Sequence, residues 1–386
     1  MKKSIFKITA FSIIAVLVVA LSVTAFALTA PGGNVTTTGD SVSYAETKNN
    51  NPYIVYNTKK GVMRSAHRAG GVLDPENTMQ AIKTCIENKE YEVDVLEFDL
   101  HLTADDQLIL LHDENFDRTT NSVEVWGKEG VLPRDKTLKE IKELNFGYWF
   151  PYERGSVQVE DKRKYKDLND LPVGVKASDL RVVTLEEVFK EVGAKKTSEL
   201  APGESAPKIK YNFIIEIKDK GSVGKYAAEQ LCELMNDYNL LDKVVVGTFN
   251  GDISDYFDYL NTTELYKGKI NPYKGKINRS AGILEVLKIF LSYLMNRDLG
   301  TVKYNVLQIP YMNWFPFLGS KSFIDYAHKY GIACQFWTIN EASQMETLIK
   351  NGADCIMSDN PKLLYEVANR VKYGNMVQPA EPQPQQ

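Results

Sequence analysis

Cysteine is scarce in this chain. Cys85, Cys232, Cys334 and Cys355 are all that 386 residues contain, and no two of them form a C-x-x-C pair. That excludes a disulfide-built scaffold and the usual structural zinc motifs. Each cysteine falls within an apolar helix or strand pattern, which reads as a buried free thiol, although export would permit a Cys334–Cys355 bridge. Histidine is equally scarce, with four in all. Positive charge is not in excess: 46 Lys and Arg stand against 50 Asp and Glu, a formal net charge of −4. That argues against broad nucleic-acid binding, which favours a basic face. No G-x-G-x-x-G loop and no G-x-x-x-x-G-K-[ST] loop occurs, so the common dinucleotide and nucleotide cradles are missing. An acidic chain that binds an anionic ester needs a local positive centre, and a bound divalent ion would supply one.

What is present begins with a basic n-region, Lys2, Lys3 and Lys7, and one uncharged, mostly apolar run over 8–30. Ala25-Phe26-Ala27 fits a small-x-small cleavage site. The run is also long enough to span a bilayer. Residues 1–30 are therefore expected to be a signal peptide or a membrane anchor, and the body to be exported or held at the outer face of the membrane. Residues 31–60, rich in Gly, Thr, Ser and Asn, read as a flexible tether, and 373–386 as a disordered tail. Between them, 61–372 carries alternating strand and helix signals. Strands are expected at 62–66, 93–100, 108–112, 211–217, 244–249, 304–309, 333–339 and 355–358. Helices are expected at 77–88, 137–144, 184–192, 223–238, 320–330 and 341–351. Several strand candidates are continuous apolar runs, as strands buried on both faces require. The pattern predicts an α/β fold, a (β/α)8 TIM barrel before a doubly wound sheet. Segments 121–180 and 262–303, the latter with an amphipathic helix over 283–295, read as insertions, at least one of which is expected to shape the pocket.

Glu97 and Asp99 are two apart on a strand, so both carboxylates face one way, inside an apolar setting. Such a pair is costly without a cation between its members and reads as a metal site. Glu216 ends the run Phe213-Ile214-Ile215 and reads as a third oxygen ligand. Lys218, on the same face, reads as a cation for phosphate, with an internal Glu216–Lys218 ion pair as the alternative. An all-oxygen site suits Mg2+ or Ca2+. His67 and His112 each terminate an apolar strand and can serve as acid and base. Arg68, beside His67, matches a phosphate's geometry. Trp337, at a strand end near Thr338 and Asn340, reads as pocket wall rather than core. His101 is a supporting candidate, and His328, in a helical pattern, reads as a surface residue.

These residues lie in an ordered set of short motifs. They are His67-Arg68-Ala69-Gly70-Gly71, Pro75-Glu76-Asn77-Thr78, Glu97-Phe98-Asp99, Thr103-Ala104-Asp105, His112-Asp113 and Arg118-Thr119-Thr120. Thr184-Leu185-Glu186-Glu187-Val188, Glu216-Ile217-Lys218, Trp337-Thr338-Ile339-Asn340 and Ser358-Asp359-Asn360-Pro361 follow. The set resembles the glycerophosphodiester phosphodiesterases, metal-dependent (β/α)8 barrels, over about 61–372. The resemblance implies His67 and His112 as the acid/base pair and Glu97, Asp99 and Glu216 as ligands of a divalent metal. It also implies Arg68 and Lys218 on the phosphate and Asn77 supporting the site. The implied reaction is hydrolysis of a glycerophosphodiester to sn-glycerol 3-phosphate and an alcohol, begun by the substrate's own neighbouring hydroxyl. The substrate would be a small-molecule or lipid-derived phosphodiester, with membrane association through the N-terminal segment. Two alternatives stay open: phospholipase D-like cleavage of lysophospholipids or sphingolipids, and a non-catalytic barrel that binds polyol phosphates. Two departures stand out, the extra Ala69 before the glycines and Asp106 where the family has glycine; segment 262–303 has no clear counterpart.

Overall fold

A computed structural model of the protein describes residues 51–151 and 164–374. The apolar runs form strands, and the strands form a barrel. Its members are β1 (Met63–Ala66), β2 (Val95–Leu102), β4 (Asn212–Ile217), β5 (Val244–Gly247), β8 (Asn278–Arg279), β9 (Val306–Pro310), β10 (Ala333–Trp337) and β11 (Cys355–Ser358), while β6 (Leu265–Tyr266) and β7 (Lys269–Ile270) pair only with each other. Neighbours pair in parallel in the order β8-β5-β4-β2-β1-β11-β10-β9. A parallel bridge between Ser280 and Val306 joins the two ends. The (β/α)8 expectation is met, with helices packed outside the strands over two large apolar clusters.

The strand list needs two corrections. Leu108–Leu110, here β3, is not a barrel strand. It folds back antiparallel on β2, pairing Leu100 with Leu110 and Leu102 with Leu108. The missing barrel strand is β8, which lies inside the segment read as an insertion. The helix after it, Ile283–Leu294, covers the barrel and reaches the cavity described below. Segment 121–180 differs: its described part, with Phe150, Tyr165 and Leu180 in a small core of its own, contributes no wall to that cavity.

Alternate residues of each strand point inward. The lowest inward layer is apolar: Met63, Val95, Ile214, Val245, Val306, Ala333 and Cys355. Tyr53 and Ile54 pack beneath it, carried by a helix over Pro52–Lys60. This corrects the tether reading of 31–60, because the last part of that stretch is a capped helix that plugs the barrel floor. Asn51 caps it: its Oδ1 accepts from the Tyr53 amide at 3.0 Å, and its Nδ2 donates to the Asn305 and Gly331 carbonyls at 2.8 Å each. The next inward layer turns polar, with Glu97, Glu216 and Gln308 two residues further along their strands. A Cβ on Gly247 would lie 2.8 Å from Gln308 Oε1, so a larger residue there would push the Gln308 side chain aside.

All four cysteines are buried and free. Cys334 and Cys355 sit on adjacent strands but on opposite faces, Cys334 under the helices and Cys355 inside the barrel, so no bridge can join them. His328 is also corrected from surface to interior, where its Nε2 lies 2.7 Å from Asp354 Oδ2. The apolar run over 8–30 and the tail from 375 lie outside the described residues. Among the described residues no helix is long and apolar enough to cross a membrane.

Candidate active site

The strands' C-terminal ends open onto one cavity of about 130 Å3. It brings together His67, Arg68, Glu97, Asp99, His112, Glu216, Lys218 and Trp337. Asn77 lies beside it, with its Nδ2 3.5 Å from Asp99 Oδ2. Nine of the residues singled out from the sequence thus meet in one place.

Local backbone geometry holds the first of them. After β1 the chain makes a short turn over His67–Ala69 in which Arg68 and Ala69 take φ of 50° and 60°. This left-handed turn absorbs the extra Ala69 and aims the Arg68 amide at Glu97 Oε2, 2.6 Å away. Asn77, at φ 56°, donates its own amide to the Arg68 carbonyl at 3.0 Å. The other sequence departure fits as well: Asp106 adopts φ 60° in the β2–β3 turn, a conformation in which glycine is favoured.

Glu97 and Asp99 are 4 % and 1 % exposed. Lys218 Nζ bridges Asp99 Oδ1 at 3.0 Å and Glu216 Oε1 at 2.9 Å. The Arg68 guanidinium lies 3.1 Å from Glu76 and 3.4 Å from Asp99. Both cations read as phosphate ligands are therefore seated on carboxylates. Burial and the neighbouring Asp99 push the Glu97 carboxyl well above its ordinary range. Burial also raises Glu216, against Lys218. Burial alone would raise Asp99 too, but Lys218, His112, Arg68 and His67 together hold it below the usual carboxylate range.

The two histidines have matching surroundings. His67 Nδ1 is 2.8 Å from Asp359 Oδ1, and His112 Nδ1 is 2.8 Å from Asp113 Oδ1. Asp359 is itself held by Asn340, which donates from Nδ2 to its Oδ2 at 2.9 Å and accepts its backbone amide at 2.9 Å. Asp113 is clamped by Arg118 at 2.6 and 3.0 Å, and Arg118 also pairs with Glu76. With each Nδ1–H donated to a carboxylate, Nε2 is the nitrogen that can exchange a proton; on His67 it lies 3.5 Å from Thr338 Oγ1 and 3.9 Å from Glu97 Oε2. Burial lowers His112 to about 4, against the opposing pull of Asp99.

Asp359, Asn340, Asp113, Arg118 and Glu76 carry no site role in the sequence reading, although each lies in a motif noted there. His112 reaches the site from the antiparallel β3 rather than from a barrel strand. His101 does not line the cavity; its Nδ1 pairs with Asp219 at 2.7 Å. Trp337 does line it, its ring 5.9 Å from that of Phe249.

The profile of the glycerophosphoryl diester phosphodiesterase family matches residues 67–363. The chain belongs to this family. It is 27% identical over 312 residues to a glycerophosphodiester phosphodiesterase of Caldanaerobacter subterraneus subsp. tengcongensis, covering 79% of this chain and 97% of the relative. It is 31% identical over 168 residues to a glycerophosphodiester phosphodiesterase of Bacillus subtilis, covering 43% of this chain and 49% of that one. The fold matches a glycerophosphodiester phosphodiesterase from Agrobacterium tumefaciens with a TM-score of 0.53 at 15% identity, over 79% of this chain and 99% of that one. The protein is accordingly a phosphodiesterase of the glycerophosphodiester class, built on the TIM barrel.

Proposed function

We propose that this phosphodiesterase hydrolyses glycerophosphodiesters to sn-glycerol 3-phosphate and an alcohol with the help of a divalent metal and two histidines. The observation that carries the reading is the meeting, in one cavity, of two buried carboxylates, the half-buried Glu216 and two histidines whose Nδ1 atoms are each tied to an aspartate. A non-catalytic binding barrel has no need of such a pair.

The residues fit a cation. Glu97, Asp99 and Glu216 converge as an all-oxygen set, and Glu97 and Glu216 are raised by burial, so added positive charge would stabilise both. Asn77 Oδ1 is buried beside them with no hydrogen-bond partner, an oxygen suited to the same ion. Glu97, Asp99 and Glu216 would hold it. A bound Mg2+ or Ca2+ supplies Lewis acidity and charge neutralisation at the phosphate. Lys218 and Arg68, poised on carboxylates, add positive charge on the same side.

In the reaction the substrate's neighbouring hydroxyl attacks phosphorus, the alcohol departs, and water opens the resulting cyclic phosphate. His112, held neutral at ordinary pH, takes the proton of the attacking hydroxyl. His67 gives a proton to the departing alcohol, with Asp359 stabilising its charged form. The cavity orients the diester between the two imidazoles. Lys2, Lys3, Lys7 and the apolar run over 8–30 support an exported enzyme, released or anchored.

The test is release of glycerol 3-phosphate from glycerophosphocholine and glycerophosphoethanolamine, with EDTA and then with Mg2+ or Ca2+ restored. The expected result is turnover that EDTA abolishes and the metal restores. Silence on both diesters under every condition would overturn the reading.

A further inference from the structure

The β6–β7 hairpin stands at the end of the barrel opposite the cavity. It follows the C-terminal end of the helix Gly251–Thr262 and precedes β8, so it lies where the strands begin. Lys267 Nζ ties it to Glu233, near the C-terminal end of the helix Gly221–Asp237, at 2.6 Å. Leu265 pairs with Ile270 and Tyr266 with Lys269 around a two-residue loop, Lys267-Gly268, whose φ angles are 49° and 74°. Two positive φ angles in succession make the tight turn that matches strand twist, so the hairpin is a shaped element. Its faces are unlike. Tyr266 packs inward, its ring 5.3 Å from that of the buried Tyr273. Leu265 and Ile270, opposite each other across the two strands, point outward and are 59% and 86% exposed. The solvent face of an antiparallel pair is ordinarily polar, and an apolar pair left there marks a contact surface.

The surroundings specify what it contacts. Between residues 263 and 277 four lysines, Lys267, Lys269, Lys274 and Lys276, stand against one acid, Glu264, in a chain whose net charge is −4. Lys269 and Lys276 are exposed and have no ion pair among the described residues. The chain also enters the barrel on this end. Asn51 Nδ2 donates to the Asn305 carbonyl, and Asn305 Nδ2 donates to Asn278 Oδ1 at the start of β8, each at 2.8 Å. The 50 residues before Asn51, with their apolar run over 8–30, therefore join the floor beside the strand that the hairpin leads into. Apolar side chains ringed by lysines bind anionic lipid by burial and by charge together.

We propose that the hairpin seats the barrel floor on an anionic phospholipid surface. Leu265 and Ile270 enter the headgroup layer, the lysines lie among the lipid phosphates, and the catalytic mouth faces away from the bilayer. This seating is independent of the reaction proposed above and holds whether the run over 8–30 is retained or removed.

The experiment places a polarity-sensitive fluorophore at either end of the full-length protein. The four native cysteines are buried, so Ile270→Cys and Leu284→Cys each offer one accessible thiol. Leu284 is exposed next to Ile283, which lines the cavity. Vesicles of phosphatidylcholine alone are compared with vesicles that also carry phosphatidylglycerol. With phosphatidylglycerol the probe at 270 should brighten and shift to the blue, and the probe at 284 should not respond. The response should vanish at about 1 M salt, where the screening length falls to about 3 Å. Adding Lys269→Glu and Lys276→Glu to Ile270→Cys should reduce the response to that seen with phosphatidylcholine alone, since each lost lysine weakens binding about five-fold. A response at 284, silence at both positions, or an equal response to both kinds of vesicle would overturn the proposal. A response at 270 that needs no vesicles and grows with protein concentration would assign the hairpin to a second copy of the chain and overturn it as well.

Discussion

His67 Nδ1 lies 2.8 Å from Asp359 Oδ1, a contact that joins the first and last barrel strands. β1 and β11 pair in register, Ala66 with Ser358, so each residue leaves its strand at the same height. Asn340 grips Asp359 on both side chain and backbone. Asp359 can thus orient the imidazole and stabilise its charged form. Asp359→Asn would present an amide to Nδ1 and favour the wrong tautomer. We expect kcat to fall on the order of 10²-fold or more with KM little changed. Steady-state kinetics at several pH values check this; a wild-type kcat would remove Asp359 from the machinery.

Glu97→Gln is expected to abolish metal-dependent turnover and leave the fold intact, because the amide oxygen can still accept from the Arg68 backbone. In the wild type, saturating Mg2+ or Ca2+ should raise Tm by a few degrees through preferential binding to the folded state. The variant should lose both the turnover and the shift. Metal-dependent turnover in Glu97→Gln would displace Glu97 from the ligand set.

His112 is lowered from 6.5 to about 4, first by burial. The folded protein favours the neutral imidazole, so unfolding takes up a proton between pH 6.5 and 4. His112 therefore contributes stability that is complete above 6.5 and declines as pH falls toward 4. The imidazole resonance missing from a His112→Ala spectrum should titrate near pH 4 in the wild type, and the base it provides should persist well below pH 6. A midpoint at 6.5 would contradict the burial argument.

Much of the site was legible because β2 is regular. A two-residue period in an apolar strand puts Glu97 and Asp99 on one face whatever surrounds them. β8 was not legible, because two polar residues, Asn278 and Arg279, carry no strand signal and become one only between Val246 and Val306. β3 was misread as a barrel strand, although the five residues between β2 and β3 are too few for a parallel crossover. The Asp359 role depends on a partner 292 residues away, a contact that only the closed barrel creates. His328 looked exposed because its helix is polar around it, while its actual partner, Asp354, precedes a different strand.

Asn51 tests the floor of the barrel. It caps the helix Pro52–Lys60 and ties it to the carbonyls just before β9 and β10. Tyr53 and Ile54, each 3% exposed, complete the apolar layer above it. A tether would tolerate Asn51→Ala within about 0.5 kcal/mol, as exposed sites generally do. A buried cap with three hydrogen bonds predicts a loss of about 2 kcal/mol instead, since two backbone carbonyls and one amide lose their partner. Urea denaturation measures the difference as a lower midpoint at unchanged m-value. The cavity that holds His67 and His112 sits at the opposite end of the strands, so turnover of the folded variant should match the wild type. A midpoint equal to that of the wild type would return this stretch to the tether.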